Sequence, residues 1–196
     1  MKRLAAVCIA WFVSLIPASG FAEVNLVLNV APGIFVYSPD ADGFKVSDGI
    51  NTGEVDGYLS NMATITGGIG FNTPGLFFDV TGGVGYLYNS AFTSKILMAD
   101  AALRFKIRRE ELTAGPHISF MKYKPDWEGD ANVSLSDDTG IMAGLGITIG
   151  SKEFSISASV DYIKASFDVD PPGISVNREP LDISGIALQI GMILRF

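Results

Sequence analysis

The chain reads GIALQIGMILRF over residues 185–196, and a large apolar side chain occupies every even-numbered position of that stretch. Most of the odd-numbered positions carry smaller or polar residues, among them Gly185, Gln189 and Arg195. A repeat of two residues indicates a β-strand with one oily face, because successive side chains of a strand point to opposite sides. The stretch therefore predicts a strand whose two faces meet different surroundings.

The same alternation recurs along most of the chain, and we find no window with a convincing helical period. Seven further strands are predicted over residues 23–37, 57–71, 76–89, 96–108, 111–125, 140–150 and 153–168. Tight turns are predicted at 72–75, 108–111 and 150–153, and longer connections rich in Asp, Gly, Ser and Pro at 38–56, 90–95, 126–139 and 169–182. The layout is an up-and-down run of eight strands, with short turns at one end and longer loops at the other.

The numbering of the oily positions supports this layout. Across a two-residue hairpin turn, facing residues have numbers that add up to an odd value, so the oily face must switch between odd and even numbers. The oily positions are odd in 57–71 and even in 76–89, odd in 96–108 and even in 111–125, and odd in 140–150 and even in 153–168. The parity switches at all three predicted turns, so the strands pair as antiparallel neighbours.

The polar face indicates which side points outward. It carries mainly Ser, Thr, Asn and Gly, in a chain that is 48% hydrophobic and only 18% charged. A face exposed to water would be rich in Lys and Glu, whereas small hydroxyl and glycine residues suit the crowded interior of a narrow barrel. The oily face is therefore predicted to contact lipid, and the alternative is a soluble sandwich with an oily core.

Aromatic residues on the oily face fall into two groups. Near the short turns lie Phe71, Phe78, Phe105, Phe154 and Phe196, and near the longer loops lie Tyr86, Tyr88, Phe120 and Tyr162. Aromatic girdles at both interfaces are typical of transmembrane barrels.

The first residues have the layout of a secretory signal peptide. Lys2 and Arg3 precede an apolar stretch over 4–16, and small residues lead up to Ala22. We predict a signal peptide at 1–22 and a barrel domain at 23–196. The formal net charge of −7 argues against a nucleic-acid partner held by phosphate contacts. Cys8 is the only cysteine and leaves with the leader, so a thiolate metal site is excluded as well.

The closing strand with its terminal aromatic Phe196, and the alternation of short turns with longer loops, resemble the small eight-stranded outer-membrane β-barrels of the OmpA/OmpX type. The implied fold class is all-β, an antiparallel up-and-down transmembrane barrel with periplasmic turns and extracellular loops. The resemblance implies that the outer-membrane assembly machinery recognises the last strand through Phe196. It also implies outer-membrane lipid and lipopolysaccharide as surroundings. We further expect a monomer without cofactor or metal.

Charged residues of the inward parity are predicted to form an ion-pair network in the lumen. They are Asp79, Asp100, Arg104, Lys106, His117, Asp161 and Arg195. Unpaired charges in so narrow an interior would cost several kcal/mol, so a plugged, salt-bridged lumen is favoured over a narrow conducting pore. A connection 90–95 centred near residue 91 or 92 would place Asp79 opposite Arg104, and His117 diagonal to Asp100 and Arg104.

His117 and Ser119 share a face of one strand, with Glu128 further along, and this arrangement resembles the His-x-Ser pair of outer-membrane lipid A deacylases. Both side chains have the inward parity, whereas a lipid-cleaving site must reach lipid. We therefore predict a non-enzymatic barrel with a structural or surface-interaction role through its loops, and keep a lipid A-modifying enzyme as the alternative.

Three lysines have the lipid-facing parity near the loop end: Lys122, Lys124 and Lys164. This is the level at which lipopolysaccharide phosphates lie, so we predict contacts with lipopolysaccharide there.

Overall fold

The computed structural model describes residues 22–37, 41–108, 111–170, 175–177 and 180–196, and the signal peptide predicted at 1–22 lies outside them except for Ala22. Within these residues, eight long strands close into a barrel. The strands are β1 (Glu23–Tyr37), β2 (Leu59–Asn72), β3 (Leu76–Tyr88), β4 (Phe92–Arg108), β5 (Leu112–Trp127), β6 (Asp138–Gly150), β7 (Phe154–Lys164) and β8 (Gly185–Arg195). The described residues contain no helix long and apolar enough to cross a membrane.

Each strand pairs antiparallel with the next strand along the chain, and β8 pairs with β1 to close the ring. The closing register runs from Val27 opposite Arg195 to Tyr37 opposite Gly185. Beyond it, Leu26 and Phe196 exchange two backbone hydrogen bonds of 3.0 Å. The predicted up-and-down topology is confirmed, and the closed ladder leaves the barrel without an edge strand.

The prediction of a longer connection over 90–95 is wrong. Strand β3 ends at Tyr88 and β4 begins at Phe92, so the connection is a tight turn in which the N–H of Asn89 donates to the carbonyl oxygen of Phe92 over 2.9 Å. The polar residues from Thr93 to Lys95 have the composition of a loop, yet they continue β4. Strand β7 also differs from its prediction, since it ends at Lys164 rather than at residue 168.

The oily face of every strand points outward, as predicted. In β8, Ile186, Leu188, Ile190 and Met192 are exposed, while the residues between them are buried. Leu145 and Ile190, both in the middle of their strands, are 68% and 67% exposed. A continuous apolar exterior of this kind is stable only against lipid.

The interior has two zones. The half nearer the short turns is polar, as predicted, whereas the half nearer the loops is filled by buried apolar side chains. This apolar plug consists of Phe35, Tyr37, Met62, Leu87, Phe92, Ile96, Met98, Met121, Tyr123, Met142, Ile163 and Ala187 from the barrel wall. Loop residues continue it, among them Phe44, Val46, Leu135, Phe167, Leu181 and Ile183.

At the loop end, the second connection, L2, is the tight turn at 89–91. The described parts of the other three connections, L1 (38–58), L3 (128–137) and L4 (165–184), fold over the apolar plug. Within them, Lys45–Ser47 pairs with Thr52–Glu54 and with Ser175–Val176, and Ser134–Leu135 pairs with Val169–Asp170. These short ladders join L1 to L4 and L3 to L4. We call the three connected segments the loop cap.

We expect replacement of Leu145 by Arg to lower the free energy of unfolding from a lipid bilayer by about 2–4 kcal/mol, because a cation then lies near the middle of the apolar band. Tyr88→Arg, on the same exterior but at the loop end, should cost no more than about 1 kcal/mol. Urea titration of protein folded in vesicles measures both values. Equal costs at the two positions would contradict the outward assignment.

Candidate functional site

The first interior cluster surrounds the carboxylate of Asp79 on β3. Arg104 from β4 forms an ion pair with it, and Nη2 of Arg195 from β8 reaches the same oxygen over 2.9 Å. The guanidinium of Arg195 lies 4.4 Å from the centroid of the Phe77 ring, and so does Nζ of Lys106. Nζ of Lys106 also donates to Oδ1 of Asn72 over 2.6 Å. Because β3 and β8 are not neighbours, this cluster ties opposite parts of the wall together near the turn end.

The predicted cross-strand position of Asp79 needs a correction. Asp79 lies opposite Ala102 and Arg104 lies opposite Phe77, so the ion pair joins diagonal neighbours. The cause is the tight turn at 89–91, which moves the centre of the hairpin toward β3. Space for the carboxylate comes from Gly70 on β2, where an added Cβ would meet Oδ1 of Asp79 at 2.5 Å.

The second interior cluster surrounds His117 on β5. Its Nδ1 lies 3.3 Å from Oδ1 of Asp100, and its Nε2 lies 2.6 Å from Oδ1 of Asp161. His117 lies opposite Ala102, so the predicted diagonal relation to Asp100 is present in the register. The bond to Asp161 crosses the whole width of β6. It passes over Gly144, where any Cβ would collide with the Asp161 carboxylate.

Two serines complete the second cluster. Ser119 donates its hydroxyl to Oδ1 of Asp100 over 2.5 Å, and Ser159 donates to Oδ2 of Asp161 over 2.7 Å. Between the two clusters lies a cavity of about 50 Å³, lined by Asn29, Thr66 and Gln189 among others. Its size allows only a few water molecules.

The structure does not assemble the deacylase-like constellation. Both ring nitrogens of His117 bind carboxylates, and the Ser119 hydroxyl is directed at Asp100. A serine nucleophile needs a hydrogen bond to its base. Glu128 lies at the loop end, where it accepts a hydrogen bond from Thr93 over 3.0 Å, roughly 35 Å along the extended strand from His117. Among the described residues, no group of His, Asp or Glu side chains is arranged to hold a metal ion.

A row of aromatic rings crosses the apolar plug. Tyr37 of β1 lies 6.1 Å from Phe92 of β4, Phe92 lies 6.1 Å from Phe167 of L4, and Phe167 lies 5.7 Å from Tyr123 of β5, measured between ring centroids. Strands β1 and β5 stand on opposite sides of the ring of eight. These four residues, which we call the aromatic bridge, therefore span the lumen. Sequence reasoning missed it, although Tyr37, Phe92 and Tyr123 are large side chains at interior positions.

Asp48 joins two segments of the loop cap. Its carboxylate accepts hydrogen bonds from the backbone N–H groups of Asn51 and Ile50 in L1, and from that of Asn132 in L3 over 2.9 Å. The N–H groups of Asn51, Asn132 and Ile50 lower the pKa of the Asp48 carboxyl to about 2. Trp127 adds an apolar contact between the same segments, since its ring fills the space beside Gly53 of L1 and Gly129 of L3.

The predicted lysines point outward at the loop end. Lys122 lies 3.4 Å from Asp137, while Lys124 stands directly opposite Lys95 on β4. Lys164 stands opposite Ile141 on β6. Phe196 is 74% exposed at the turn end, beside its two backbone bonds to Leu26.

This closed ring of eight antiparallel strands, with an apolar exterior and a filled interior, has the fold of the small eight-stranded β-barrels of the OmpA/OmpX type. Neither a family model nor a curated protein matches the chain. Among solved structures, it is similar to Neisserial surface protein A (NspA) with a TM-score of 0.57 and 13% identity, over 89% of this chain and 99% of that one. That likeness shows the fold.

Two further structures match with lower scores. One is Ail, the attachment invasion locus protein of Yersinia pestis, solved in complex with the heparin analogue sucrose octasulfate. It has a TM-score of 0.36 and 14% identity, over 89% of this chain and 99% of that one. The other is an outer membrane channel from Pseudomonas putida F1, with a TM-score of 0.29 and 8% identity, over 92% of this chain and 98% of that one.

We expect Asp79→Asn to lower the free energy of unfolding by roughly 3–5 kcal/mol, because it leaves the buried guanidinium groups of Arg104 and Arg195 without their counter-ion. Asp56→Asn, in an exposed part of L1, is the matched control and should leave stability unchanged. Urea titration in vesicles measures both variants. A loss below about 1 kcal/mol for Asp79→Asn would show that the cluster does not stabilise the barrel.

The contact between L1 and L3 should be lost at low pH. Because the pKa of Asp48 is lowered from 3.8 to about 2, its charged form stabilises the contact above pH 3.8, and the contact is lost as the pH falls through about 2. The amide resonance of Asn132 should titrate with a midpoint near pH 2. Asp48→Ala should make both loops easier to cleave by protease at neutral pH, whereas Asp56→Ala should not. A midpoint near pH 3.8 would show that the backbone N–H groups do not bind the Asp48 carboxylate.

Proposed function

We propose that the protein is a non-enzymatic, ion-tight barrel of the outer membrane that holds a folded loop cap at the cell surface. The observation that carries this proposal is the aromatic bridge, which fills the lumen from β1 to β5 with the apolar plug packed around it. An ion crossing this zone would have to leave its hydration shell without gaining polar ligands, and that is very costly. The closed ring of strands and its exposed apolar exterior support the location in a membrane.

The ion-pair clusters supply a second closure in series with the first. Asp79, Arg104 and Arg195 occupy the turn end of the lumen, and His117 with its two carboxylates lies above them. The cavity between the clusters is far smaller than a path through the barrel. Both features favour a plugged lumen over the narrow-pore alternative.

The loop cap supports a structural or surface-interaction role. Short ladders and the carboxylate of Asp48 fix L1, L3 and L4 to one another, so a partner would meet an ordered surface and would not have to order the loops on binding. Several acidic residues lie in L1 and L3. They include Asp42, Asp48, Glu54, Asp56, Glu128, Asp130 and Asp137. Their charge favours a surface partner with basic groups.

Recording in planar bilayers tests the closure. The refolded protein should give no discrete conductance steps. Because the two closures lie in series, replacing only Phe92 and Phe167, or only Arg195 and His117, by Ala should also give none. Steps should appear when all four are replaced together. Discrete steps from the unchanged protein would overturn the proposal.

Expression in cells tests the enzyme alternative. Lipid A should have the same mass in cells that express the unchanged protein, in cells that express the His117→Ala/Ser119→Ala variant, and in cells that carry an empty vector. A loss of acyl chains that depends on His117 and Ser119 would establish the deacylase instead.

A further inference from the structure

The outer wall carries a large groove at the loop end. It has a volume of about 980 Å³ and lies between the strands β4, β5 and β6 and the overhanging segments of L4 around Ser166 and Pro180. All of the residues that line it belong to the described parts of the chain. The groove opens on the lipid-facing side of the barrel, outside the lumen and its closures.

Two rows of outward side chains form the groove. In one row, Phe120, Ile141 and Lys164 stand directly opposite one another across β5, β6 and β7. In the other, Leu97, Lys122 and Thr139 stand opposite one another across β4, β5 and β6. The floor is therefore apolar and exposed, with Phe120 60% and Leu97 63% accessible, and each row contributes one ammonium group.

The carboxylates near the groove leave Lys122 and Lys164 available to bind an anionic ligand. Asp138 accepts a hydrogen bond from the N–H of Ser166 over 3.3 Å, and Asp182 accepts one from the N–H of Ser184 over 2.8 Å, so both carboxylates are engaged with loop backbone. Lys122 pairs with Asp137 only at the surface, where both side chains are about half exposed and water screens the pair. No carboxylate of the described residues forms an ion pair with Lys164.

The depth of the groove matches a lipid headgroup. Phe120 and Tyr162 belong to the upper aromatic girdle, and Lys122 and Lys164 each follow two residues later on the same face. Along a tilted strand, two residues lie about 5 Å further from the bilayer centre. The apolar floor lies at the level of acyl chains, and the lysines lie at the level of phosphates. Lysine ammonium groups bind phosphate through charge-assisted hydrogen bonds.

We propose that this groove binds lipid A, the phosphorylated glycolipid anchor of lipopolysaccharide, through Lys122 and Lys164. The two lysines stand on strands separated by β6 and in rows two residues apart, so their Cα atoms lie about 12 Å apart. They therefore match a ligand with two separated phosphates better than a phospholipid with one. Lys124, which sequence reasoning grouped with them, stands opposite Lys95 outside the groove. The inference rests on the proposed location in the outer membrane but not on the closure of the lumen.

Native mass spectrometry of the refolded protein in detergent, with diphosphoryl lipid A added, tests the site. The unchanged protein should retain one lipid A, and Lys122→Gln/Lys164→Gln should weaken retention at least tenfold. Lys95→Gln/Lys124→Gln removes the same charge nearby and should retain lipid A like the unchanged protein. Equal retention by both double variants would overturn the proposal.

Two further arms identify the ligand. Retention should fall at least tenfold with lipid A from which both phosphates have been removed, and phosphatidylglycerol should bind at least tenfold more weakly than diphosphoryl lipid A. Phosphatidylglycerol retained as well as lipid A would refute a lipid A site. Bilayer recording of the same samples stays silent in either case, so failure of the lipid site is distinguishable from failure of the plugged lumen.

Chemical protection covers the case in which the lysine variants fold poorly. Reductive methylation of the unchanged protein should modify Lys122 and Lys164 more slowly when lipid A is present, while Lys95 and Lys124 react as before. Equal modification of all four lysines with and without lipid A would refute the site.

Discussion

Hydrocarbon offers no partner to a backbone N–H or carbonyl group, so a chain that crosses it with strands must close its hydrogen-bond ladder on itself. In this protein that closure is the pairing of β1 with β8, completed by the bonds between Leu26 and Phe196. Once the ladder is closed, each strand has one face toward lipid and one toward a narrow axis. The oily exterior, the position of the lysines and the composition of the interior all follow from that division.

The narrow interior has to be filled, and the two halves are filled by different interactions. At the turn end, carboxylates and guanidinium groups reach across the axis, which is possible because Gly70 and Gly144 leave room for them. At the loop end, apolar side chains of the wall meet apolar side chains of the loops. The loop cap is thus part of the same core as the barrel. Its order is a consequence of packing, and the short ladders and Asp48 add to it.

The exterior likewise has two levels, one apolar and one that carries ammonium groups. Below the upper girdle only apolar and aromatic side chains face outward in the rows around the groove, and ammonium groups begin two residues above it. A surface of this kind accommodates a molecule that is oily at one level and anionic at the next. The barrel wall and L4 together form the proposed lipid site on the outside of the protein, where no enclosed cavity is required.

Periodicity predicted the number of strands, their antiparallel order and the parity of three tight turns, and the composition of the polar face predicted the side that faces lipid, because each of these depends on residues close together in the chain. It also identified the charged interior residues and the outward lysines. It failed at Thr93 to Lys95, whose loop-like composition was overridden by pairing with β5. The contacts of Arg195 with Asp79 and of Asp161 with His117, the aromatic bridge, and the separation of Lys124 from the groove were decided only by the tertiary structure. Each depends on strands that are not neighbours, or on a loop folding over the wall, and closure of the barrel is what brings those residues together.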